Sequence, residues 1–105
     1  MEVVFLFSGQ CLFCQRIAQT VKRLGERYEV NIRAISADGT PLLAFPRAKR
    51  RGRFLLPNVT GIPALFSGGR RAADRRVVGV GQMSLGEILD RIQIATGCRP
   101  RLRRK

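Results

Sequence analysis

The chain has 105 residues, with 20 Lys and Arg against 7 Asp and Glu and no His, so its formal net charge is +13. This length allows one domain, and a hydrophobic fraction of 45% is enough for a packed core. The missing His excludes a Ser-His-Asp or Cys-His nucleophile, and the few scattered carboxylates argue against a calcium site or a glycosidase pair. Any catalytic chemistry must therefore use cysteine.

The first third of the chain predicts a strand, a helix and a second strand. Residues 3–7 form a continuous apolar run, which is typical of a strand buried on both faces. Apolar residues then recur every three or four positions over residues 11–28, a pattern that predicts an amphipathic helix of about four turns. Residues 30–35 alternate between apolar and polar and complete a β-α-β unit.

The middle of the chain, residues 38–61, is weakly patterned. Thr40 and Pro41 predict the start of a short helix that runs through Phe45, because Pro46 disfavours a longer one. An exposed basic loop is expected next, followed by a return of residues 54–57 to the core. The cations of this loop are Arg47, Lys49, Arg50, Arg51 and Arg53.

The next segment predicts a β-hairpin. Residues 62–66 are typical of a strand that Pro63 opens, and residues 77–81 are typical of its antiparallel partner. Residues 70–76 would then form the end of the hairpin.

A helix and a tail complete the chain. Ser84 and Glu87 predict a capping box at the helix start, and Gly97 predicts its end. Residues 99–105 hold five cations and no core pattern, so we expect a basic, mobile tail. The predicted domain organisation is a single domain over residues 1–98 followed by this tail.

A C-x-x-C motif, Cys11 to Cys14, stands where the first strand ends and the helix begins. Helix N-termini present unpaired N–H groups and a partial positive charge, which stabilise a thiolate. From this position Cys11 can attack a substrate disulfide, and Cys14, one turn further, can resolve the mixed disulfide. The motif therefore predicts a redox dithiol that needs neither a metal nor a histidine.

Two other interpretations of the cysteine pair stay open. The spacing also occurs in half of a zinc site, but the one further cysteine, Cys98, is distant in sequence, so we expect no metal. The pair could also consist of inert core cysteines. Cys98 itself is most simply an unpaired thiol just past a helix, and regulatory oxidation or pairing between chains are the other hypotheses for it.

The order of these elements resembles the thioredoxin-like superfamily, with glutaredoxins nearest in size and layout. The resemblance covers about residues 2–97 and rests on Cys11, Cys14 and the segment Gly61-Ile62-Pro63-Ala64. It implies an α/β fold with a central mixed four-stranded sheet, in the order β-α-β-α-β-β-α, and flanking helices. It also implies that Pro63 is cis and that Ile62 and Phe13 contact the substrate.

The sequence departs from both nearest subfamilies. Thioredoxins usually carry Trp before the first Cys and Gly-Pro between the two, whereas Gln10 precedes Cys11 here, and their buried Asp has no counterpart in residues 3–7. Glutaredoxins commonly carry a Lys before the first Cys and a Gly-Gly-x-Asp-like turn before the last helix, and neither is present. These differences argue against a glutathione site, although Ser84 at a helix N-terminus could hold a carboxylate. The Cys11–Cys14 disulfide is then the only expected redox group.

The leading functional prediction is a thiol–disulfide oxidoreductase with a protein disulfide as substrate and an electron-donor reductase as partner. The alternative is a binding module whose basic face docks on nucleic acid or an acidic protein, with sensory or vestigial cysteines. Arg supplies 17 of the 20 cations, but codon composition in a GC-rich genome explains this bias as well as binding does. No apolar stretch can span a bilayer and no signal peptide is visible, so we expect a cytoplasmic protein.

Overall fold

The computed structural model describes residues 1–49, 61–68 and 74–104. Four strands and two helices lie in this part of the chain, each within two residues of its predicted bounds. They are β1 (Glu2–Phe7), α1 (Leu12–Arg27), β2 (Asn31–Ser36), β3 (Ala64–Ser67), β4 (Arg76–Val80) and α2 (Leu85–Thr96).

The strands form one mixed four-stranded sheet in the order β2-β1-β3-β4. β1 pairs with β2 in parallel and with β3 antiparallel, and β3 pairs antiparallel with β4. β1 is therefore an inner strand, which is why its sequence is apolar on both faces. The mixed α/β architecture with a four-stranded sheet, predicted from the sequence, is confirmed.

Both described helices pack on the same face of the sheet. Phe5 and Phe7 of β1 are fully buried in one cluster with Ile17 of α1 and Ile88 of α2. Val4 points to the opposite face, because side chains alternate along a strand, and belongs to a second buried cluster. Each fully buried Phe stabilises the fold by about 1.5–3 kcal/mol through burial alone. The apolar contacts of α1 therefore fix the helix that begins just after the C-x-x-C motif's first cysteine.

The middle helix predicted over residues 40–45 is wrong. This segment forms turns, in which the Phe45 N–H donates to the Leu42 carbonyl at 3.0 Å. Pro41 and Pro46 bracket a stretch too short for a helix, and the residue before a proline avoids the helical conformation. Leu42 and Phe45 nevertheless pack in or against the main core. The apolar residues of this segment therefore mark core contacts, although they do not belong to a helix.

The predicted basic loop is described only at its start. Arg47 and Lys49 are exposed, and the Lys49 carbonyl accepts a hydrogen bond of 3.3 Å from the Ser36 N–H at the end of β2. Arg50, Arg51 and Arg53, together with the expected return to the core, lie outside the described residues. Most of the predicted hairpin end lies outside them as well.

The capping box at the start of α2 is present. The Ser84 hydroxyl accepts from the Glu87 N–H, the Glu87 carboxylate accepts from the Ser84 N–H, and Gly97 ends the helix with a φ of 79°. Neither helix of the described residues is long and apolar enough to cross a membrane.

The C-terminal tail docks on the far end of α1, whereas its composition predicts a mobile segment. The Arg103 N–H donates to the Arg27 carbonyl at 2.8 Å. The Arg103 guanidinium donates to the Gly25 carbonyl at 2.9 Å and to the Val30 carbonyl at 3.1 Å. The Gly25 and Arg27 carbonyls belong to the last turn of α1, which leaves them without intrahelical partners, whereas Val30 lies between α1 and β2. Because the tail has no core pattern, nothing in the sequence predicts this contact.

We expect Arg103→Ala to lower the free energy of unfolding by about 1 kcal/mol, because hydrogen bonds from a charged donor are lost. Arg104→Ala is the matched control, since Arg104 is exposed and has no hydrogen bond or ion pair within the described ranges. Denaturant unfolding followed by circular dichroism measures both variants. Equal midpoints for the two would contradict the docking of the tail.

Candidate active site

Cys11 and Cys14 share the first turn of α1 but lie in different surroundings. Cys11 is the N-cap residue, with extended backbone at φ −91° and ψ 117°, and its Sγ accepts a hydrogen bond of 3.2 Å from the Cys14 N–H. Cys11 is half-buried, whereas Cys14 is 0% exposed and belongs to the main core. The helix therefore offers one thiol to solvent and keeps the other beneath it.

The protonation of Cys14 follows from its burial. Burial raises the pKa of the Cys14 thiol to about 12, and the side-chain hydrogen bond with Cys11 and the negative charges of Cys11 and Asp38 raise it too. The Ser8 backbone acts in the opposite direction. Cys14 is thus a protonated thiol at neutral pH, and Cys11 is the more accessible of the two thiols.

A tight turn over residues 8–11 connects β1 to the exposed cysteine. The Cys11 N–H donates to the Ser8 carbonyl at 3.1 Å, which closes the turn. The Ser8 hydroxyl accepts from the Gln10 N–H at 3.3 Å. The position of Cys11 therefore depends on where Ser8 is held.

Asp38 collects four hydrogen-bond donors where β1 and β2 end. Its carboxylate accepts from the Ser8 hydroxyl at 2.8 Å and from the Gly9 N–H at 3.1 Å. It also accepts from the Thr40 N–H at 3.0 Å, and the Ser36 hydroxyl lies 2.8 Å from the same oxygen. These donors, the Thr40 N–H foremost, hold the pKa of Asp38 well below its usual range. The carboxylate therefore stays ionised at any physiological pH.

Gly9 is in close contact with this cluster. A Cβ atom at position 9 would lie 2.5 Å from the Thr40 Cβ, a distance that no relaxed structure allows. None of the cluster was predicted from the sequence, because Asp38-Gly39 after a strand is an ordinary turn signal. The φ of 80° at Gly39 agrees with that turn. The signal marked the turn without indicating which loop the carboxylate would bind.

The loop before β3 lies at the same end of the sheet as the dithiol. The Ile62–Pro63 peptide bond is cis, and the Pro63 side chain is buried. Ala64 pairs with Leu6, so Pro63 stands beside the end of β1, from which the chain continues to Cys11. The topology therefore brings the sequence-predicted cysteines and the proline loop to one edge.

Exposed apolar side chains accompany both segments. Leu12 is 73% exposed, Phe13 is 59% exposed and Ile62 is 38% exposed. Exposed apolar groups of this size often mark contact surfaces. Arg47 and Lys49, the described members of the predicted basic loop, have no described contact with the cysteines.

A groove of about 460 Å³ runs between α1 and the turns of residues 41–46. Gly9 and Gln15 line it on the side of the dithiol, and Leu42 and Leu43 line it on the other. The sequence gives no sign of this groove because it depends on the turns that replace the predicted middle helix.

The model of a known protein family matches this chain over residues 2–93, and that family is described as TraF, F plasmid transfer operon protein. The match includes both cysteines and the proline loop. The chain belongs to the TraF family. Membership in TraF and the mixed four-stranded sheet with its helices are together compatible with a thioredoxin-like fold. No curated protein and no solved structure matches the chain.

The remaining titratable groups of this TraF-family chain do not form a metal centre within the described ranges. No three Cys, Asp or Glu side chains cluster there closely enough to hold a metal ion. Cys98 is exposed just after α2, where its N–H donates to the Thr96 hydroxyl at 3.2 Å. Cys11 and Cys14 are therefore the two cysteines that the described structure places in contact.

We expect iodoacetamide to modify Cys14 of the reduced, folded protein far more slowly than Cys98 between pH 7 and 9. Burial blocks access to Cys14, and its raised pKa keeps it in the unreactive thiol form over this range. Mass spectrometry of the cysteine peptides gives the two rates, and the same reaction in denaturant is the control. Similar rates in the folded protein would contradict the buried, protonated state.

Proposed function

We propose that this TraF-family protein is a thiol–disulfide oxidoreductase that exchanges disulfides with a protein substrate. The observation that carries the proposal is the asymmetry of the dithiol. Cys11 reaches solvent at a helix N-terminus, where a backbone N–H points at its sulfur, whereas Cys14 is buried and protonated. An attacking cysteine must be accessible to its substrate, whereas a resolving cysteine can stay buried until the mixed disulfide has formed, so this difference suits a nucleophile and its resolving partner.

In the first step, the Cys11 thiolate attacks one sulfur of a substrate disulfide. The Cys11–substrate S–S bond forms as the substrate's own S–S bond breaks, and the second substrate sulfur leaves as a thiolate. The Cys14 N–H, 3.2 Å from the Cys11 Sγ, stabilises the attacking thiolate together with the partial positive charge of α1.

In the second step, Cys14 attacks the Cys11 sulfur of the mixed disulfide. The Cys14 proton passes to the departing substrate sulfur, the mixed S–S bond breaks and the Cys11–Cys14 bond forms. Two electrons have then moved from the dithiol to the substrate. An external dithiol reductase must return them before the next turnover, and this reductase is the proposed electron-donor partner.

The substrate platform in this proposal consists of Phe13, Ile62 and Pro63. Phe13 and Ile62 are exposed apolar side chains, and Pro63 stands at the edge of the sheet where the chain leads to Cys11. An unfolded or extended protein segment offers both apolar side chains and a backbone to such a surface. This supports a polypeptide substrate rather than a small polar disulfide.

We expect the wild type to reduce insulin disulfides with a dithiol donor and Cys11→Ser to abolish this activity, because the attacking sulfur is removed. Cys14→Ser should still perform the first step and accumulate a mixed disulfide, which mass spectrometry detects. Cys98→Ser is the control and should keep full activity. A wild type without exchange at any redox poise would falsify the proposed function.

A second candidate function is docking on nucleic acid or an acidic protein. The docked tail supports it, because the tail brings cations together with those at the end of α1. This basic patch consists of the exposed residues Arg23, Arg27, Arg101 and Arg104. Glu26 and Glu29 lie in the same region and reduce its net charge. The patch is at the opposite end of α1 from the dithiol, so it is compatible with the redox proposal.

For this second candidate, we expect binding to duplex DNA or to an acidic protein to weaken steeply with salt, because bound counterions are released on association. The double variant Arg101→Glu/Arg104→Glu should abolish binding without undocking Arg103. Arg91→Glu, an exposed position on α2, is the control for the change in charge. Fluorescence anisotropy at several salt concentrations measures the affinities, and an affinity that is independent of salt would exclude the docking function.

A further inference from the structure

We propose that Asp38 is the positioning residue of the dithiol: its carboxylate holds the turn that presents Cys11. The inference rests on the proposed function, because it assigns Asp38 to the reaction of the same two cysteines. Asp38 touches neither sulfur in any described hydrogen bond. It acts through Ser8 and Gly9, which lie between β1 and the exposed cysteine.

The connection from Asp38 to Cys11 consists of short, successive contacts. The carboxylate binds the Ser8 hydroxyl at 2.8 Å and the Gly9 N–H at 3.1 Å. The Ser8 carbonyl in turn accepts from the Cys11 N–H at 3.1 Å. A side chain at position 9 would collide with Thr40, so the close approach of the turn to residue 40 requires a glycine there. The turn is thus held by hydrogen bonds in a position that only glycine allows.

Asp38 is itself held in place by residues at and just after the end of β2. The Ser36 hydroxyl lies 2.8 Å from Asp38 Oδ1 and 2.7 Å from the Thr40 carbonyl, and the Thr40 N–H donates to Oδ1. Ser36 is 0% exposed at the end of β2, so the sheet fixes it. Asp38 therefore fixes the cysteine turn, which follows β1, relative to the end of β2.

The hydrogen-bond pattern allows the positioning effect of the carboxylate to be tested apart from the effect of its charge. Three donors converge on Oδ1, while the Ser8 hydroxyl alone binds Oδ2. An Asn at position 38 can keep its oxygen at the Oδ1 site and donate from its amide nitrogen to the Ser8 oxygen. Asp38→Asn therefore removes the charge but keeps the hydrogen bonds to Ser8 and Gly9, whereas Asp38→Ala removes both the charge and these bonds.

The charge has an effect of its own that the test must separate. The Asp38 carboxylate is near enough to Cys14 to disfavour ionisation of that thiol, and this raises its pKa. Because the pKa of Cys14 is about 12 with the carboxylate present, loss of this charge alone leaves the thiol protonated at neutral pH and hardly changes the balance between dithiol and disulfide. Loss of the hydrogen bonds to Ser8 and Gly9 has a separate effect that disfavours the disulfide, because a loose turn closes the Cys11–Cys14 ring less readily.

The test is the equilibrium of the Cys11–Cys14 pair with glutathione redox buffers, measured on the full chain by mass spectrometry of trapped thiols. We expect Asp38→Ala to disfavour the disulfide by about tenfold, which corresponds to a potential higher by about 30 mV for a two-electron couple. Asp38→Asn should stay within about threefold of the wild type. Asp90→Ala, an exposed aspartate on α2 that pairs with Arg99, is the matched control and should leave the equilibrium unchanged.

Equal shifts in Asp38→Asn and Asp38→Ala would show a charge effect and overturn the positioning role, and no shift in either variant would overturn it too. If Asp38→Ala does not fold, Ser8→Ala replaces it, because this variant removes only the Oδ2 contact and the bond to Gln10. A folded Ser8→Ala with an unchanged equilibrium would also overturn the proposal. The glutathione equilibrium needs no protein substrate, so a wild type that fails to reduce insulin refutes the proposed function without deciding the role of Asp38.

Discussion

The burial of β1 on both faces is the constraint on which the other features depend. β1 pairs with β2 on one side and with β3 on the other. Its Phe5 and Phe7 lie in the buried cluster against which both described helices pack. Since β1 is fixed so firmly, the chain that leaves it at Phe7 has a defined starting point. The turn to Cys11, the Asp38 cluster at the end of β2 and the Pro63 loop before β3 all lie at this end of the sheet. The site is therefore assembled by strand pairing rather than by contacts among loops alone.

One helical turn is enough to give two cysteines different chemistry. Position 11 precedes the helix, so its side chain meets a free N–H and solvent, whereas position 14 points into the core between sheet and helix. The motif spacing sets this division, and the packing of α1 enforces it. In the proposed redox reaction, a buried and protonated Cys14 leaves the first attack to Cys11.

The sequence predicted those features that depend on local patterns. The apolar run of β1, the capping box at Ser84 and the C-x-x-C at a helix start are all encoded by residues that lie close together in the chain. The prediction of a middle helix failed because Pro46 follows Pro41 after only four residues, which leaves too little chain for a helix. The docking of Arg103 on Gly25 and of Asp38 on Ser8 could not be predicted, because each joins polar groups that are distant in sequence and carry no periodicity.

The docked tail has a consequence for how the protein forms. The carbonyls at the end of α1 find their partners in Arg103, which lies 78 residues beyond Gly25. During synthesis, the helix that carries Cys11 and Cys14 therefore emerges long before its far end can be completed. Until then Cys14 also lacks the core residues of β3, β4 and α2 that share its buried cluster. The contacts of Arg103 with the end of α1 form only after β2, β3, β4 and α2 have been synthesised, so completion of the dithiol helix follows that of the sheet.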